Sequence, residues 1–103
     1  MEYRQLGNSG VRVSVIGLGA NRFGAQDVSQ TQVSAIIDAA LDAGVNFIDS
    51  SNNYNEGRSE ETLGNALKGR MDRVVMATKF SFPRKTSANS WGASRYHMLE
   101  AVD

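Results

Sequence analysis

Hydrophobic and polar positions alternate with a period of two near the start of the chain. Residues 11–15, VRVSV, have the pattern of a half-buried strand. A turn cluster, GNSG at residues 7–10, precedes them, and glycine and asparagine adopt the backbone of tight turns at little cost. These features predict a β-hairpin within residues 1–14. The run VIGLGA at residues 15–20 is continuous and apolar, as in a strand that is covered on both faces.

The pattern then changes to the period of an α-helix, which we predict over residues 29–43. A capping box fits the start of this helix in two ways, with Asp27 and Gln30 or with Ser29 and Gln32. Apolar residues recur at three- and four-residue intervals and form one stripe, at Val33, Ile36, Ile37, Ala40 and Leu41.

A strand, a second helix and another strand follow in turn. Gly44 stands where a residue with positive φ commonly ends a helix. The apolar run at residues 45–48 predicts a strand, and a second helix is predicted over residues 59–68. Ser59 is interpreted as the N-cap of that helix, because serine is favoured at this position. A further apolar run predicts a strand at residues 74–79.

After a polar loop at residues 81–92, a third helix is predicted from about Ser94, and the sequence ends within it at Asp103. Strands that alternate with helices predict an α/β fold with a parallel sheet. Three parallel strands are too few to close a barrel, and a barrel of eight strands takes about 250 residues. We therefore expect the N-terminal hairpin and the first three βα units of a (β/α)8 TIM barrel, truncated in the third helix. Residues 1–103 would form one incomplete barrel domain.

Composition and charge exclude several classes of function. The 103 residues hold eleven basic and eleven acidic side chains, so no overall charge attracts nucleic acid or an anionic membrane. No apolar stretch approaches the ~20 residues that span a bilayer, and residues 1–10 lack the pattern of a secretory signal. Cysteine is absent, which excludes disulfides and thiolate metal sites. The simplest expectation is a cytoplasmic protein. A local basic cluster consists of Arg70, Arg73, Lys79, Arg84 and Lys85. It is interpreted as solvated surface charge, with the exception of Lys79.

Ionisable side chains follow two of the predicted strands directly. Asp49 comes after the strand at residues 45–48, and Lys79 ends the strand at residues 74–79. Tyr54 stands in the loop beyond Asp49. Because parallel strands end at the same edge of a sheet, we expect these three side chains to converge where the catalytic groups of parallel α/β barrels collect. Taken singly, each is ambiguous, since a loop tyrosine commonly packs and a strand-end aspartate commonly caps a turn.

Two other kinds of site fit the sequence poorly. Gly17, Gly19 and Gly24 do not have the spacing of the GxGxxG dinucleotide fingerprint, and no helix opens directly after them. No metal site is expected, because cysteine is absent and the single histidine is distant from the acidic residues near Asp49.

Four stretches of the chain together resemble the N-terminal part of the aldo-keto reductase superfamily. LGNSGVRVSVIGLGA is similar to the family's opening hairpin and first barrel strand, and WGASRYHMLEAVD to the start of its third helix. DAGVNFIDSSNNYNEGRSEETLGNAL is similar to the main motif with Asp49 and Tyr54, and VVMATKF to the third strand with its Lys79. The resemblance covers essentially the whole chain. Within the superfamily it points to the branch of bacterial general aldo/keto reductases and potassium-channel β subunits.

The resemblance implies an oxidoreductase that reduces small aldehydes and ketones to alcohols with NADPH. Hydride leaves the nicotinamide for the carbonyl carbon, and Tyr54 as general acid protonates the developing alkoxide. Lys79 would assist, since a nearby cation lowers the pKa of a phenol from about 10, and Asp49 would hold the ammonium in place. The resemblance also implies four positions near the nicotinamide, at Ala20, Asn21, Gln26 and Asp49. Trp91 would line the substrate mouth, or equally would pack on its own loop.

The chain also departs from the family pattern. Ala20 stands where a small hydroxyl residue is usual, and Asn55 follows the tyrosine where glycine is usual. The family's fourth catalytic residue, a histidine after the fourth strand, would lie beyond residue 103. The family's residues that bind the adenine 2′-phosphate, and its specificity loops, would also lie beyond residue 103. His97 is expected to be a surface or helix-start residue rather than a catalytic one.

Two hypotheses for the function remain. The first is an NADPH-dependent enzyme, and the alternative is a cofactor-binding regulatory or partner-binding subunit of the channel β-subunit type, with little or no turnover. In either case we expect the 103-residue chain alone to be inactive and to self-associate, because open parallel strands leave exposed edges. The substrate, the choice between NADPH and NADH, and the oligomeric state stay open.

Overall fold

A two-stranded hairpin opens the computed structural model, which describes residues 1–84 and 87–102. Strand β1 (Tyr3–Gln5) pairs antiparallel with β2 (Arg12–Ser14), and Tyr3 lies opposite Ser14. The predicted hairpin is therefore confirmed. Within the valine pattern of residues 11–15, only Val13 is buried, so that strand has less covered surface than its alternation predicts.

Three short parallel strands form the sheet that follows. Their order is β3 (Gly17–Gly19), β4 (Phe47–Asp49) and β5 (Val75–Ala77), with β4 in the centre. In register, Gly19 lies opposite Asp49, and Asp49 lies opposite Ala77. The parallel sheet agrees with the prediction. Because all three strands run the same way, the residues that follow them lie along one edge.

Helix α1 (Gln30–Asp42) connects β3 to β4 and starts as one of the two predicted capping boxes. The Ser29 hydroxyl accepts a hydrogen bond from the Gln32 backbone N–H at 3.2 Å. The Gln32 side chain in turn accepts from the Ser29 N–H at 2.8 Å. Asp27, the alternative cap, instead pairs with Arg22. Gly44 has a φ of 84°, as predicted for the residue that ends the helix.

Helix α2 (Arg58–Ala66) connects β4 to β5, and its N-cap differs from the prediction. Gly57 occupies the cap position with a φ of 93°, so the assignment of Ser59 as N-cap is wrong. Ser59 lies one residue inside the helix and is completely buried. Its hydroxyl donates to the carbonyl oxygen of Ala20 at 2.8 Å and lies 2.9 Å from the Ser50 hydroxyl. The serine therefore joins α2 to the ends of β3 and β4.

The hydrophobic core lies between the two helices and one face of the sheet. It is a single cluster of buried side chains from α1, α2, β4 and the loop after β3, at Ala20, Phe23, Val33, Ile37, Leu41, Ile48, Leu63, Ala66 and Leu67. Each fully buried leucine or isoleucine stabilises the fold by roughly 1.5–3 kcal/mol. This cluster fixes both helices against the sheet and so fixes the strand ends that carry the polar residues.

The start of the parallel sheet is less covered than the sequence pattern predicts. Strand β3 has only three residues, and Leu18 is partly buried. Val15 and Ile16 are exposed, so the prediction of a strand covered on both faces is wrong for residues 15–20. An apolar run reports the hydrophobicity of a segment, whereas coverage depends on which other elements pack on it.

Helix α3 (Arg95–Val102) follows β5 after a long loop, and His97 is buried within it. The imidazole is 1% exposed, so His97 is not a surface residue, whereas its place in the first turn of α3 agrees with the other expected position, at the start of the helix. Its Nδ1 lies 2.8 Å from the Gly92 carbonyl oxygen, and the ring packs edge-on against Phe80 at a centroid distance of 5.5 Å. Lys85 of the predicted basic cluster and the terminal Asp103 lie outside the described residues. Within the described part of the chain, no helix is long and apolar enough to cross a membrane.

Candidate active site

Asp49 and Lys79 form an ion pair at the carboxyl edge of the sheet. Lys79 Nζ donates to both carboxylate oxygens of Asp49, each at 2.7 Å, and to the backbone carbonyl of Ser50 at 2.9 Å. Asp49 is the last residue of β4. Lys79 lies two residues beyond the end of β5, directly after Thr78. Adjacent parallel strands therefore present the acid and the base side by side.

Tyr54 joins this pair from the loop after β4. Lys79 Nζ donates to its phenolic oxygen at 3.2 Å and lies 4.9 Å from the centroid of its ring. The structure thus brings together the three residues that the sequence singled out, with Lys79 in contact with both of the others. Asp49 and Lys79 side chains remain 45% and 48% exposed, so the cluster is open to small molecules.

The ammonium of Lys79 is stabilised in its charged form. Desolvation alone would lower its pKa. The hydrogen bonds with Asp49 and Tyr54 and the charge of Asp49 outweigh that effect, and the pKa of Lys79 is raised above the ordinary lysine value. Lys79 is therefore a permanent cation at neutral pH, and a cation held in place can stabilise negative charge on a neighbouring oxygen.

Backbone hydrogen bonds continue the sheet beyond the short strands and hold the site residues in register. The Ala20 N–H donates to the Asp49 carbonyl at 2.8 Å, and the Ser50 N–H donates to the Ala77 carbonyl at 2.8 Å. The Asn52 N–H donates to the Lys79 carbonyl at 3.1 Å. Consecutive bonds of this kind leave little freedom in the backbone between Asp49 and Asn52.

A short 3₁₀ turn, Tyr54–Gly57, carries the tyrosine into helix α2. Asn55 and Glu56 within it have left-handed backbone, with φ values of 50° and 60°. The Asn55 side chain donates to the carbonyl oxygens of Asn21 and Phe23 at 2.9 Å and 2.7 Å. Sequence reasoning noted Asn55 only as a departure from the family pattern. The sequence did carry one signal for this turn, because asparagine is, after glycine, the residue that best tolerates left-handed backbone.

The predicted cofactor residues fall into two kinds. Ala20 is completely buried, and its N–H and carbonyl are both engaged, by Asp49 and Ser59 respectively. Asn21 and Gln26 are exposed in the loop after β3, beside the turn that carries Tyr54. Among the predicted cofactor residues of this loop, the exposed polar side chains are therefore those of Asn21 and Gln26.

Trp91, the predicted substrate-lining residue, is 65% exposed in the loop before α3. An indole with this exposure is not packed into its own loop, which was the alternative interpretation. In the described residues, no three His, Asp or Glu side chains are grouped as a metal site would require.

Comparisons with known proteins agree on one family. The model of the aldo/keto reductase family matches residues 15–103. A protein of Oryza sativa subsp. japonica named "Probable voltage-gated potassium channel subunit beta" is 37% identical over 105 residues, which cover 99% of this chain and 32% of the relative. The aldo-keto reductase YhdN of Bacillus subtilis is 35% identical over 108 residues, which cover 100% of this chain and 33% of that protein.

A solved structure extends the similarity to the fold. The holo form of an aldo-keto reductase from Bacillus halodurans superimposes with a TM-score of 0.80 at 34% sequence identity, covering 97% of this chain and 33% of the other. The predicted fold class is thereby confirmed, because the strands and helices match the start of that barrel. The chain spans about one third of the length of the relatives it matches.

Proposed function

Because the chain belongs to the aldo/keto reductase family, we propose that the protein reduces small aldehydes and ketones to alcohols, with NADPH as hydride donor and Tyr54 as general acid. The observation that carries the proposal is the position of Lys79 Nζ, within hydrogen-bond distance of both Asp49 and Tyr54. Among the described residues these side chains form one connected, solvent-accessible cluster. The proposal concerns the complete protein, since the chain spans about a third of its relatives.

The direction of the hydrogen bond between Lys79 and Tyr54 suits proton donation. An ammonium can only donate, so the phenolic oxygen accepts from Lys79, and this bond leaves the hydroxyl proton of Tyr54 available for donation. A carbonyl oxygen placed against that hydroxyl would take the proton as negative charge develops on it. The phenolate left on Tyr54 would then lie beside a fixed cation, which stabilises it electrostatically. In alcohol oxidation the same groups would act in reverse, with Tyr54 as the base.

Asp49 acts in this proposal through Lys79. Its two oxygens hold the ammonium, together with the Ser50 carbonyl, so that the cation stays beside the phenolic oxygen of Tyr54. The exposed side of the cluster leaves room for a substrate carbonyl. Trp91 is proposed as a lining residue of the substrate mouth, because its indole is largely exposed on the loop that follows β5.

The residues beside the cluster fit a nicotinamide cofactor. Asn21 and Gln26 offer exposed amide groups, and Asp49 offers a carboxylate, which together suit the carboxamide and ribose hydroxyls of a nicotinamide nucleoside. Ala20 would contribute only its small size, since its backbone groups are engaged. When bound, NADPH supplies the hydride. One solved relative is named as a holo form, which agrees with a cofactor-dependent protein.

A second candidate function is a partner-binding subunit that retains the reductase fold. The relative from Oryza sativa, named as a potassium channel subunit beta, favours this alternative at 37% identity. Such a subunit would bind the cofactor without appreciable turnover. Cofactor binding is common to both candidates, so turnover is the property that separates them.

The deciding experiment measures NADPH oxidation by the complete protein with a panel of aldehydes and ketones. The reductase proposal expects turnover that falls by about 10²–10⁴-fold in Tyr54→Phe, the range that general acid catalysis contributes. Tyr96→Phe is the matched control, because it removes the hydroxyl of an exposed tyrosine on α3. NADPH binding without turnover of any carbonyl substrate would instead support the partner-binding subunit. Turnover unchanged in Tyr54→Phe would contradict the assignment of Tyr54.

A further inference from the structure

The turn that carries Tyr54 has an unusual backbone. Three consecutive residues, Asn55, Glu56 and Gly57, have positive φ values of 50°, 60° and 93°. Left-handed backbone is unfavourable for residues other than glycine, and asparagine tolerates it better than most. Such a segment persists only where surrounding contacts hold it in place. The contacts of this turn therefore reveal what fixes the tyrosine.

The turn is bound to the loop after β3 by two side chains. Both N–H groups of the Asn55 amide are used, on the carbonyl oxygens of Asn21 at 2.9 Å and Phe23 at 2.7 Å. Arg58 Nε donates to the carbonyl oxygen of Gly24 at 2.9 Å. Three backbone carbonyls of one loop thus accept from side chains of the Tyr54 turn and the first residue of α2.

The loop after β3 is the same segment that carries the proposed cofactor residues Asn21 and Gln26. Asn55 is adjacent in sequence to Tyr54, and its side chain bonds directly to the backbone of Asn21. It makes no described contact with Lys79 or Asp49. Any influence of Asn55 on the chemistry must therefore pass through the position of the turn.

We propose that Asn55 is a positioning residue, which fixes the Tyr54 hydroxyl relative to the cofactor loop, residues 20–26, through its two amide hydrogen bonds. This inference rests on the proposed function of Tyr54. Glycine, which is usual at this position in the resembled family, would allow the same backbone but would form no such link. With asparagine in place of glycine, this chain keeps the left-handed backbone and gains two hydrogen bonds between the turn of the proposed acid and the proposed cofactor loop.

Two substitutions separate the link from the backbone requirement. Asn55→Gly keeps access to positive φ and removes both hydrogen bonds. Asn55→Asp keeps the size of the side chain but replaces the two donors by an ionised carboxylate, which accepts only and would repel the carbonyls of Asn21 and Phe23. Asn8→Asp is the matched control, because it makes the same chemical change in the exposed turn of the hairpin.

The first readout is steady-state kinetics of the complete protein. We expect kcat to fall by about tenfold to a hundredfold in Asn55→Asp, since a misplacement of about 1 Å can cost a hundredfold. The kcat should fall less in Asn55→Gly, and the KM for the aldehyde should change little in either variant. Asn8→Asp should retain the kcat of the unmodified protein. A purely structural role would lower the melting temperature and the active fraction without this selective effect on kcat per folded molecule.

The second readout needs no turnover and no cofactor. Tyrosine labelled with ¹³C at the ζ carbon gives separate NMR signals, and the Tyr54 signal is identified by its absence in Tyr54→Phe. We expect the Tyr54 signal to shift or broaden in Asn55→Asp and Asn55→Gly, while the signals of Tyr3 and Tyr96 stay in place. An unchanged Tyr54 signal in both variants would overturn the inference. If Tyr54→Phe abolishes turnover but both Asn55 variants retain full kcat, the inference fails and the proposed function stands. Full turnover in Tyr54→Phe would instead contradict the assignment of Tyr54 as the general acid, on which this inference rests.

Discussion

Lys79 Nζ lies 2.7 Å from both carboxylate oxygens of Asp49, although 30 positions of the chain separate the two residues. The same nitrogen reaches the Tyr54 hydroxyl at 3.2 Å. One cation therefore links an acid on the central strand of the sheet to a phenol in the following loop.

Removal of the cation should impair turnover strongly. Lys79→Met deletes the donor to Tyr54 and leaves Asp49 without its partner. We expect kcat of the complete protein to fall by about 10²–10³-fold, the usual effect of deleting one group that stabilises developing negative charge. Lys68→Met, at an exposed lysine beyond the end of α2, should have little effect. Comparable kinetics for the two variants would contradict a role for Lys79.

The ion pair predicts a loss of stability at alkaline pH. The folded-state pKa of Lys79 is raised above the ordinary lysine value of 10.5. A raised pKa contributes stability that is fully present below that value and disappears as pH rises through the folded-state pKa. Melting temperatures of the complete protein, measured between pH 9 and 11.5 (about the range in which lysine titrates), should fall more steeply for the unmodified protein than for Asp49→Asn.

Asp27→Asn serves as the control for that measurement, since Asp27 pairs with Arg22 on the surface and does not contact Lys79. Its alkaline slope should equal that of the unmodified protein. Identical slopes for Asp49→Asn and the unmodified protein would show that the pair contributes nothing to the pH dependence.

The buried hydroxyl of Ser59 should be important for stability rather than for capping. Ser59→Ala removes the donor to the Ala20 carbonyl and leaves the buried Ser50 hydroxyl without this partner. We expect the free energy of unfolding of the complete protein to fall by about 1–3 kcal/mol, measured by denaturant titration. Ser81→Ala, at an exposed serine whose hydroxyl has no described hydrogen bond, should change it by less than about 0.5 kcal/mol. Equal effects of the two substitutions would contradict this role of Ser59.

The close approach of Gly24 to Arg58 can be tested with two glycines that share one positive φ value. Gly24 and Gly10 both have a φ of 77°, so alanine is strained equally at either position. A Cβ at Gly24 would lie 2.5 Å from Arg58 Cβ and 2.6 Å from its carbonyl carbon, whereas a Cβ at Gly10 meets nothing within 4 Å. Gly24→Ala should therefore destabilise the protein by about 1–3 kcal/mol more than Gly10→Ala does.

Thermal or denaturant unfolding of the two alanine variants gives this difference directly. Because the backbone strain cancels, what remains is the contact between the loop after β3 and the start of α2. If both variants are destabilised by the same amount, the two segments do not approach each other as closely as the structure indicates.

The 103-residue polypeptide alone should be inactive and should self-associate. Within the described residues, β3 and β5 each have a strand partner on one side only. Apolar side chains remain exposed at several places, and the amide of the buried Asn52 has no described hydrogen-bond partner. Light scattering after gel filtration should therefore show oligomers or aggregates. A soluble monomer with one cooperative unfolding transition would contradict this expectation.

Sequence by itself determined the features that depend on neighbouring residues. A capping box at the start of α1 and the turn at Gly44 follow from local backbone chemistry, and both are present, the box as the Ser29 and Gln32 pair, one of the two that the sequence allowed. The convergence of Asp49 and Lys79 also followed from the sequence. Alternating strands and helices imply a parallel sheet, and a parallel sheet places all its strand ends at one edge.

Tertiary structure alone decided the features that depend on partners far away in the chain. Ser59 resembles an N-cap in sequence, but its hydroxyl bonds to Ala20, 39 positions away. The single histidine was expected at the surface or at the start of a helix; it lies in the first turn of α3, but its ring is buried and contacts Phe80 and the Gly92 carbonyl. Local pattern records what a side chain can do. Which of those possibilities is realised depends on the atoms that folding brings beside it, as with Asn55, whose amide finds two carbonyls on another loop.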